Sequence, residues 1–419
     1  MKITGFAVLM SAALLCGAAP VATEQIKTAP VKTPPAPAAK RNRVLPRKGA
    51  RPAAKRRQIP REVLISKFNP DAKDATAALN KALRSGAKKI IFDRPGSYFL
   101  RPVTVKSFTT IILRPGVKLQ TLPPLPDKNG KPQEFPGVFC GNKITRFMIK
   151  GEDGNIISGN SGIALFHFVN SNNLTLQNLT LTDGSDAIVF KNSAGCRLEN
   201  LAIDNFTGTG VKNQGGMWLG ITDTQFRNIR GTGVELIANQ YGSGVSGGFD
   251  NVEFFNSNAG IAVLQPEKVV EYPKNIKRGI PFLSIRSCRF FNNTGSSLYI
   301  NGNATSGKVR IENCLFSDNR GTSLHLADFN QDSPFTLTIS NTIFRPQLPF
   351  IMPPLLVSSR LPRPLGNISI TNTNVIQQAH LPAIKFDLKH PAGKIDGTLP
   401  VTAPDGKIKH AQLILTQEK

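Results

Sequence analysis

The second half of the chain repeats one pattern: an aliphatic residue, any residue, a small polar residue that is usually Asn, two more positions, then an aliphatic residue or Phe. Eight copies are legible: Leu176/Asn178/Leu181, Leu198/Asn200/Ile203, Ile221/Asp223/Phe226, Phe249/Asn251/Phe254, Ile285/Ser287/Phe290, Ile311/Asn313/Phe316, Ile339/Asn341/Phe344 and Ile370/Asn372/Val375. Their middle residues step by 22, 23, 28, 36, 26, 28 and 31, one coil of chain plus insertions of varying length. Each copy holds a short alternating strand. Most are followed by a second, as in Ala187-Ile188-Val189-Phe190, Gly260-Ile261-Ala262-Val263 and Leu324-His325-Leu326. Short strands at a fixed period, separated by polar turns, bury their aliphatics only by stacking on the coils above and below, and a polar residue at a bend bonds its counterpart one rung away. A propeller would need longer repeats and antiparallel hairpins. The pattern predicts an all-β, right-handed parallel β-helix, the hand following from the crossover rule for parallel strands.

In the second strands, alternation divides the side chains between two faces. Placing Ile188, Val211, Val234, Ile261, Leu298 and Leu324 inward makes Val189, Lys212, Glu235, Ala262, Tyr299 and His325 an outward row, its neighbours about 4.8 Å apart. Lys, Glu, Tyr and His are groups that remove and return a proton beside a carboxylate. Lys212 opposite Glu235 is more often an ordinary ion pair between rungs. The longest insertions, about 236–248 and 265–281, both leave from the end of this face, where they would wall a groove. They bring Tyr241 and Tyr272 as flat faces for sugar rings and Lys268, Lys274, Lys277 and Arg278 as cations, against Glu267 and Glu271.

Upstream, Asn69-Pro70-Asp71 predicts a helix start, with Ala72, Ala75, Leu79 and Leu83 on one face and Gly86 at its end. Such a helix would cap the open N-terminal end of the coil, whose strand edges otherwise invite aggregation. Before it, residues 23–61 are rich in Pro and Ala and carry twelve Lys or Arg against the single acid Glu24. With almost nothing to form a core, this reads as a disordered basic tail. The first residues, Met1-Lys2, an apolar run from Gly5 to Cys16 and then Gly17-Ala18-Ala19, have the layout of a secretory signal. The organisation expected is a signal at 1–22, the tail at 23–61, the β-helix at 62–380 and an extension of short strands at 381–419, in a secreted or periplasmic protein with no transmembrane segment after signal removal.

The formal net charge of +25 exceeds what the tail supplies, so the folded part is basic too. Export argues against nucleic acid and for an acidic polysaccharide or anionic cell-surface glycan as partner. Cys140, Cys196, Cys288 and Cys314 show no Cys-x-x-Cys spacing, so no zinc site is predicted, and no metal is assigned. Cys288 and Cys314 hold the same place in successive copies, compatible with a disulfide or with stacked free thiols.

Asp74-Ala75-Thr76-Ala77-Ala78-Leu79, Ile90-Ile91-Phe92, Pro95-Gly96-Ser97-Tyr98 and Leu113-Arg114-Pro115-Gly116-Val117 resemble the opening segment of pectin-lyase-like β-helix proteins. With the repeat, the resemblance covers roughly 64–376. It implies lyases, hydrolases or epimerases of acidic polysaccharides, or adhesins and binding proteins on the same fold. Thr182-Asp183-Gly184 with Asp186 resembles the first polygalacturonase motif. The rest departs from it: residue 181 is Leu rather than Asn, Gly208-Thr209 stands where an Asp pair is expected, no His lies between His167 and His325, and Arg310-Ile311-Glu312 lacks the motif's Lys. Hydrolysis needs two carboxylates, one as acid and one to activate water. The expectation is therefore a β-helix that acts on an acidic polysaccharide by lyase- or epimerase-type proton transfer, with Asp183, Asp186, Lys212, Glu235 and Tyr299 as candidate catalytic groups. Tyr241, Lys268, Lys277, Arg278 and His325 are candidates for substrate binding. A non-catalytic β-helix that binds glycan or serves as a scaffold is the alternative.

Overall fold

The computed structural model describes residues 61–126, 131, 133–160, 162–239, 245–266, 282–301, 307–327, 336–345, 352–359, 367–376, 384–388, 395–396, 400–402, 408–410 and 414–417. The predicted signal and all but the last residue of the tail lie outside them. Two sheets carry the fold. The longer one bends around a corner, so that strands such as Thr175–Gly184, Cys196–Phe206 and Leu219–Arg227 each contribute to two faces. The second sheet runs strictly in chain order from Val103–Thr104 to Ile414–Gln417. Successive coils pair in parallel and in register: Leu176 beside Leu198, Leu198 beside Ile221, and Ile221 beside Phe249. Parallel pairing continues beyond 380, where Ile384–Leu388 lies along Leu355–Ser359. Pro400–Thr402 and Ile408–His410 pair antiparallel.

The sequence repeat marks a corner of each coil. All eight middle residues, from Asn178 to Asn372, have left-handed backbones, with φ between 46° and 55°. Asn, Asp and Ser bear this conformation better than branched residues because a short polar side chain can bond locally. An amide also both donates and accepts, so it chains from rung to rung. Asn200 donates to Asn178 at 3.0 Å, Asn251 to Asp223 at 2.7 Å and Asn372 to Asn341 at 2.6 Å. A second left-handed corner, which the repeat as read did not include, contains Asp183, Asn205, Asn228 and Asn256. There Asn205 donates to Asp183 at 2.6 Å and Asn256 to Asn228 at 2.7 Å.

Inside, Phe226, Phe254, Phe290, Phe316 and Phe344 stack in one column with centroids 4.9, 5.0, 4.5 and 4.8 Å apart. Glycines make room for it: a Cβ on Gly233 would lie 2.6 Å from Cδ1 of Phe254, and one on Gly260 would lie 2.6 Å from Cδ1 of Phe290. The inward set Ile188, Val211, Val234, Ile261, Leu298 and Leu324 is fully buried.

The N-terminal helix runs over Thr76–Arg84, six residues later than Pro70 suggested, and buries Ala78, Leu79, Ala82 and Leu83. Local polar bonds delay it. Asn69 is left-handed, Asp71 accepts from the Lys73 amide, and Asp74 accepts from the Thr76 amide. Such side-chain bonds compete with helix formation in the first residues. The Ala75 amide is taken by Phe99. Among the described residues no helix is long and apolar enough to cross a membrane. Cys140, Cys196, Cys288 and Cys314 are free thiols. Burial pushes the Cys196 thiol up to about 12 and also raises that of Cys288.

Candidate functional site

Three adjacent strands of the second sheet, Ala164–Val169, Ile188–Lys191 and Val211–Gln214, form the floor of an open groove. Their register aligns His167 with Val189 and Val189 with Lys212, and alternation turns all three outward while Phe166, Ile188 and Val211 enter the core. The next outward row brings Val169, Lys191 and Gln214 abreast. A cavity of about 350 Å³ lies over them, with His167, Asp186, Lys191 and Lys212 among its lining residues together with Phe135, Pro136 and Ile163. That volume is at the lower end for ligand sites, room for one or two sugar rings.

His167 is 9% exposed. Burial, helped by the charge of Lys191, lowers its pKa below the usual histidine value, so the imidazole stays neutral near pH 7 and retains a lone pair able to take a proton. Lys212 pairs with Glu235 one rung on, Nζ to Oε2 at 3.5 Å. Asp186 sits immediately before the middle strand and accepts from the Thr209 amide at 2.6 Å through Oδ1. The cavity therefore combines two ammonium groups, one carboxylate and one neutral base, an arrangement suited to an anionic ligand with an acidic C–H bond.

The remaining sequence candidates fall elsewhere. Asp183 belongs to the second corner ladder, accepting from Asn205, Ser158 and Thr182. Tyr299 and His325 lie farther along the outward row, two and three rungs beyond Glu235. They meet edge to face with centroids 5.1 Å apart, and His325 Nε2 is 3.0 Å from Ser358 Oγ. Tyr241, Lys268, Lys277 and Arg278 lie outside the described residues. Among the described residues no three His, Cys, Asp or Glu side chains are grouped to hold a metal. His167 and Lys191 were not among the candidates. The signal for His167 is in the chain, where Phe166-His167-Phe168 alternates like the later strands but precedes the first repeat copy; Lys191 is two residues beyond Val189 on the same strand and therefore on the same face.

A family model described as the right-handed β-helix region matches residues 166–344. No protein with a curated description matches the chain by sequence. Among solved structures, a family 28 exopolygalacturonase from Yersinia enterocolitica superposes with a TM-score of 0.57 at 11% identity, over 84% of this chain and 79% of that one. The A-module of a mannuronan C-5 epimerase from Azotobacter vinelandii gives 0.54 at 9% identity, over 80% of this chain and 99% of that one. The fold is a right-handed parallel β-helix. In this β-helix the groove occupies the outer surface of the second sheet, and the charged ladder Asp250–Arg286 and Glu253–Arg289 occupies the long sheet, with contacts of 2.7 and 3.2 Å.

Proposed function

We propose that the chain is an exported β-helix protein whose groove takes a uronic-acid polymer and moves a proton at the carbon beside its carboxylate. One observation carries the reading: a histidine held neutral by burial shares a cavity with Lys191, Lys212 and Asp186. Removing that proton places charge on the carboxylate, which the two ammonium groups would stabilise as it develops. His167 would accept the proton from the breaking C–H bond. Return of a proton from water on the opposite face gives the epimer, and departure of the neighbouring glycosidic oxygen, which takes up the proton that His167 removed, gives an unsaturated end. Lys212 is paired with Glu235, which assigns it to charge stabilisation rather than to the base. Two structures of similar fold are an exopolygalacturonase and a mannuronan epimerase, and acidic glycans are their shared theme. Helix Thr76–Arg84 fits the role of N-terminal cap, since it packs beside the terminal coil that begins at Glu62. Residues 1–22 would direct export, and 23–61 would add a basic tether.

The test follows polymannuronate and polygalacturonate in heavy water, reading deuterium incorporation and unsaturated ends. His167→Gln should lower kcat by about 10²-fold or more with KM little changed, and Lys212→Ala should raise KM. A second reading, a glycan-binding module without turnover, is favoured by the Lys212–Glu235 contact, since ion pairs between rungs are common on solvated sheets. Binding that depends on Lys191 and Lys212 with no isotope exchange would establish that second reading instead.

A further inference from the structure

We propose that the outer face of the long sheet around Trp218 is a second polysaccharide-binding surface, an aromatic shelf that stacks the rings of an anionic glycan laid along the coil axis. Leu219 is buried, so alternation turns its neighbours Trp218 and Gly220 outward. The register Leu219, Gly247, Leu283 makes Trp218, Ser246 and Phe282 consecutive members of one outward row, with Lys308 next after Phe282. Trp218 is 44% exposed and Phe282 46%. Exposure of one large apolar residue is ordinary; two aromatic rings two rungs apart with a serine between them form a surface. Their separation of about 9.6 Å along the axis is close to that between alternate sugars of an extended 1,4-linked chain, so one polymer can rest on both rings.

The adjacent row explains why the shelf is flat. It runs Arg197, Gly220, Gly248, Ser284, Arg310. The indole lies against Gly220, where a Cβ would come within 2.6 Å of Cη2 and 3.0 Å of Cζ3, while a Cβ on Gly248 would meet nothing within 4 Å. The indole is thus laid down on a strand without side chains in its way, and the position beside it is open.

Charge selects the occupant. Neither row contains a carboxylate, and both contain cations: Arg197 and Arg310 in one, Lys308 in the other. Among the described residues neither Arg197 nor Lys308 is in an ion pair. The nearest carboxylates on the same face are Glu199, Asp250 and Glu312; Asp250 is bound to Arg286 at 2.7 Å and Glu312 to Arg310 at 2.9 Å. Apolar rings with unpaired cations at both ends match a polymer whose sugars have apolar faces and acidic substituents. The shelf lies on the other sheet from the His167 groove, and it stands whether or not that groove is catalytic.

Trp218 is the chain's single tryptophan, so its emission reports this surface alone. The full chain is titrated at low ionic strength with polygalacturonate, polymannuronate and chondroitin sulfate in turn, with a neutral dextran as control, following acrylamide quenching of Trp218. At least one anionic polymer should protect the indole, and dextran should not. Phe282→Ala should weaken that protection about tenfold, and Arg197→Ala should weaken it with a reduced salt dependence. Both residues are surface-exposed, and an unchanged melting temperature confirms folding; Arg197→Ala alone decides the matter if Phe282→Ala does not fold. The groove variants His167→Gln and Lys212→Ala should leave the Trp218 titration unchanged, which separates this site from the other. Failure of all three polymers to protect Trp218 overturns the proposal. So does protection that both variants leave intact, or that grows with protein concentration alone, which would make the shelf a contact between two copies.

Discussion

Replacing Phe290 by Ala probes the column that fills the coil. Phe290 is fully buried and lies between Phe254 at 5.0 Å and Phe316 at 4.5 Å, at interplanar angles of 10° and 2°. Loss of a buried phenyl ring costs roughly 3–5 kcal/mol, the spread reflecting how far the surroundings collapse into the space. Here collapse is resisted, because both neighbouring rungs are fixed by parallel strand pairing at Glu253–Arg289 and Arg289–Leu315. The cost should therefore fall in the upper half of that range, at about 4 kcal/mol. Gly260→Ala approaches the same ring from outside: its Cβ would lie 2.6 Å from Phe290 Cδ1 and 2.5 Å from the Ser297 carbonyl oxygen. Overpacking of this kind costs about 1–3 kcal/mol. In the double variant the ring clash disappears while the carbonyl clash stays, so the two costs should sum to more than the double variant shows. The assay is urea unfolding followed by far-ultraviolet circular dichroism. Leu125→Ala serves as control, since Leu125 is 56% exposed and should change stability by less than about 0.5 kcal/mol. A Phe290→Ala cost below about 2 kcal/mol, or strict additivity with Gly260→Ala, would refute the packed column.

Two further outcomes are expected. His167 is held below its usual pKa by burial and by Lys191, so between the folded and unfolded values the unfolded chain binds more protons. Stability should then rise with pH through that window and fall in acid below the ordinary histidine range near 6.5; His167→Gln should flatten this slope in melts run from pH 5 to 8, and an unchanged slope would count against the buried neutral imidazole. Asn200 has φ of 51° and donates to Asn178 at 3.0 Å, so Asn200→Ala should cost about 1–2 kcal/mol of stability and Asn200→Gly less, since Gly tolerates this backbone; equal costs for both would show that the amide ladder, not the left-handed corner, is what matters.

The coil itself was legible because its determinants are local and periodic. Aliphatic alternation names the inward residues, and a small polar residue at each bend names the corner, so Ile188, Val211 and Asn200 could be placed from the chain alone. Placement in a row also put Lys212 beside Glu235, since parallel register is fixed by the same buried residues that make the pattern. The groove was less legible. His167 joins Asp186, Lys191 and Lys212 only once the rung before the first repeat copy is added to the stack, and the depressed histidine pKa depends on burial that no spacing reveals. Asp183 looked like part of a catalytic motif, yet the fold gives it left-handed geometry and a place in a hydrogen-bonded ladder, which only the partner one rung away could disclose. The same holds for Trp218 and Phe282: they are 64 residues apart in sequence and become neighbours but one because insertions between rungs change chain length without changing axial rise. Sequence determined which residues face the core, because burial acts on each strand separately; tertiary structure decided which outward residues meet, because that depends on how many rungs lie between them.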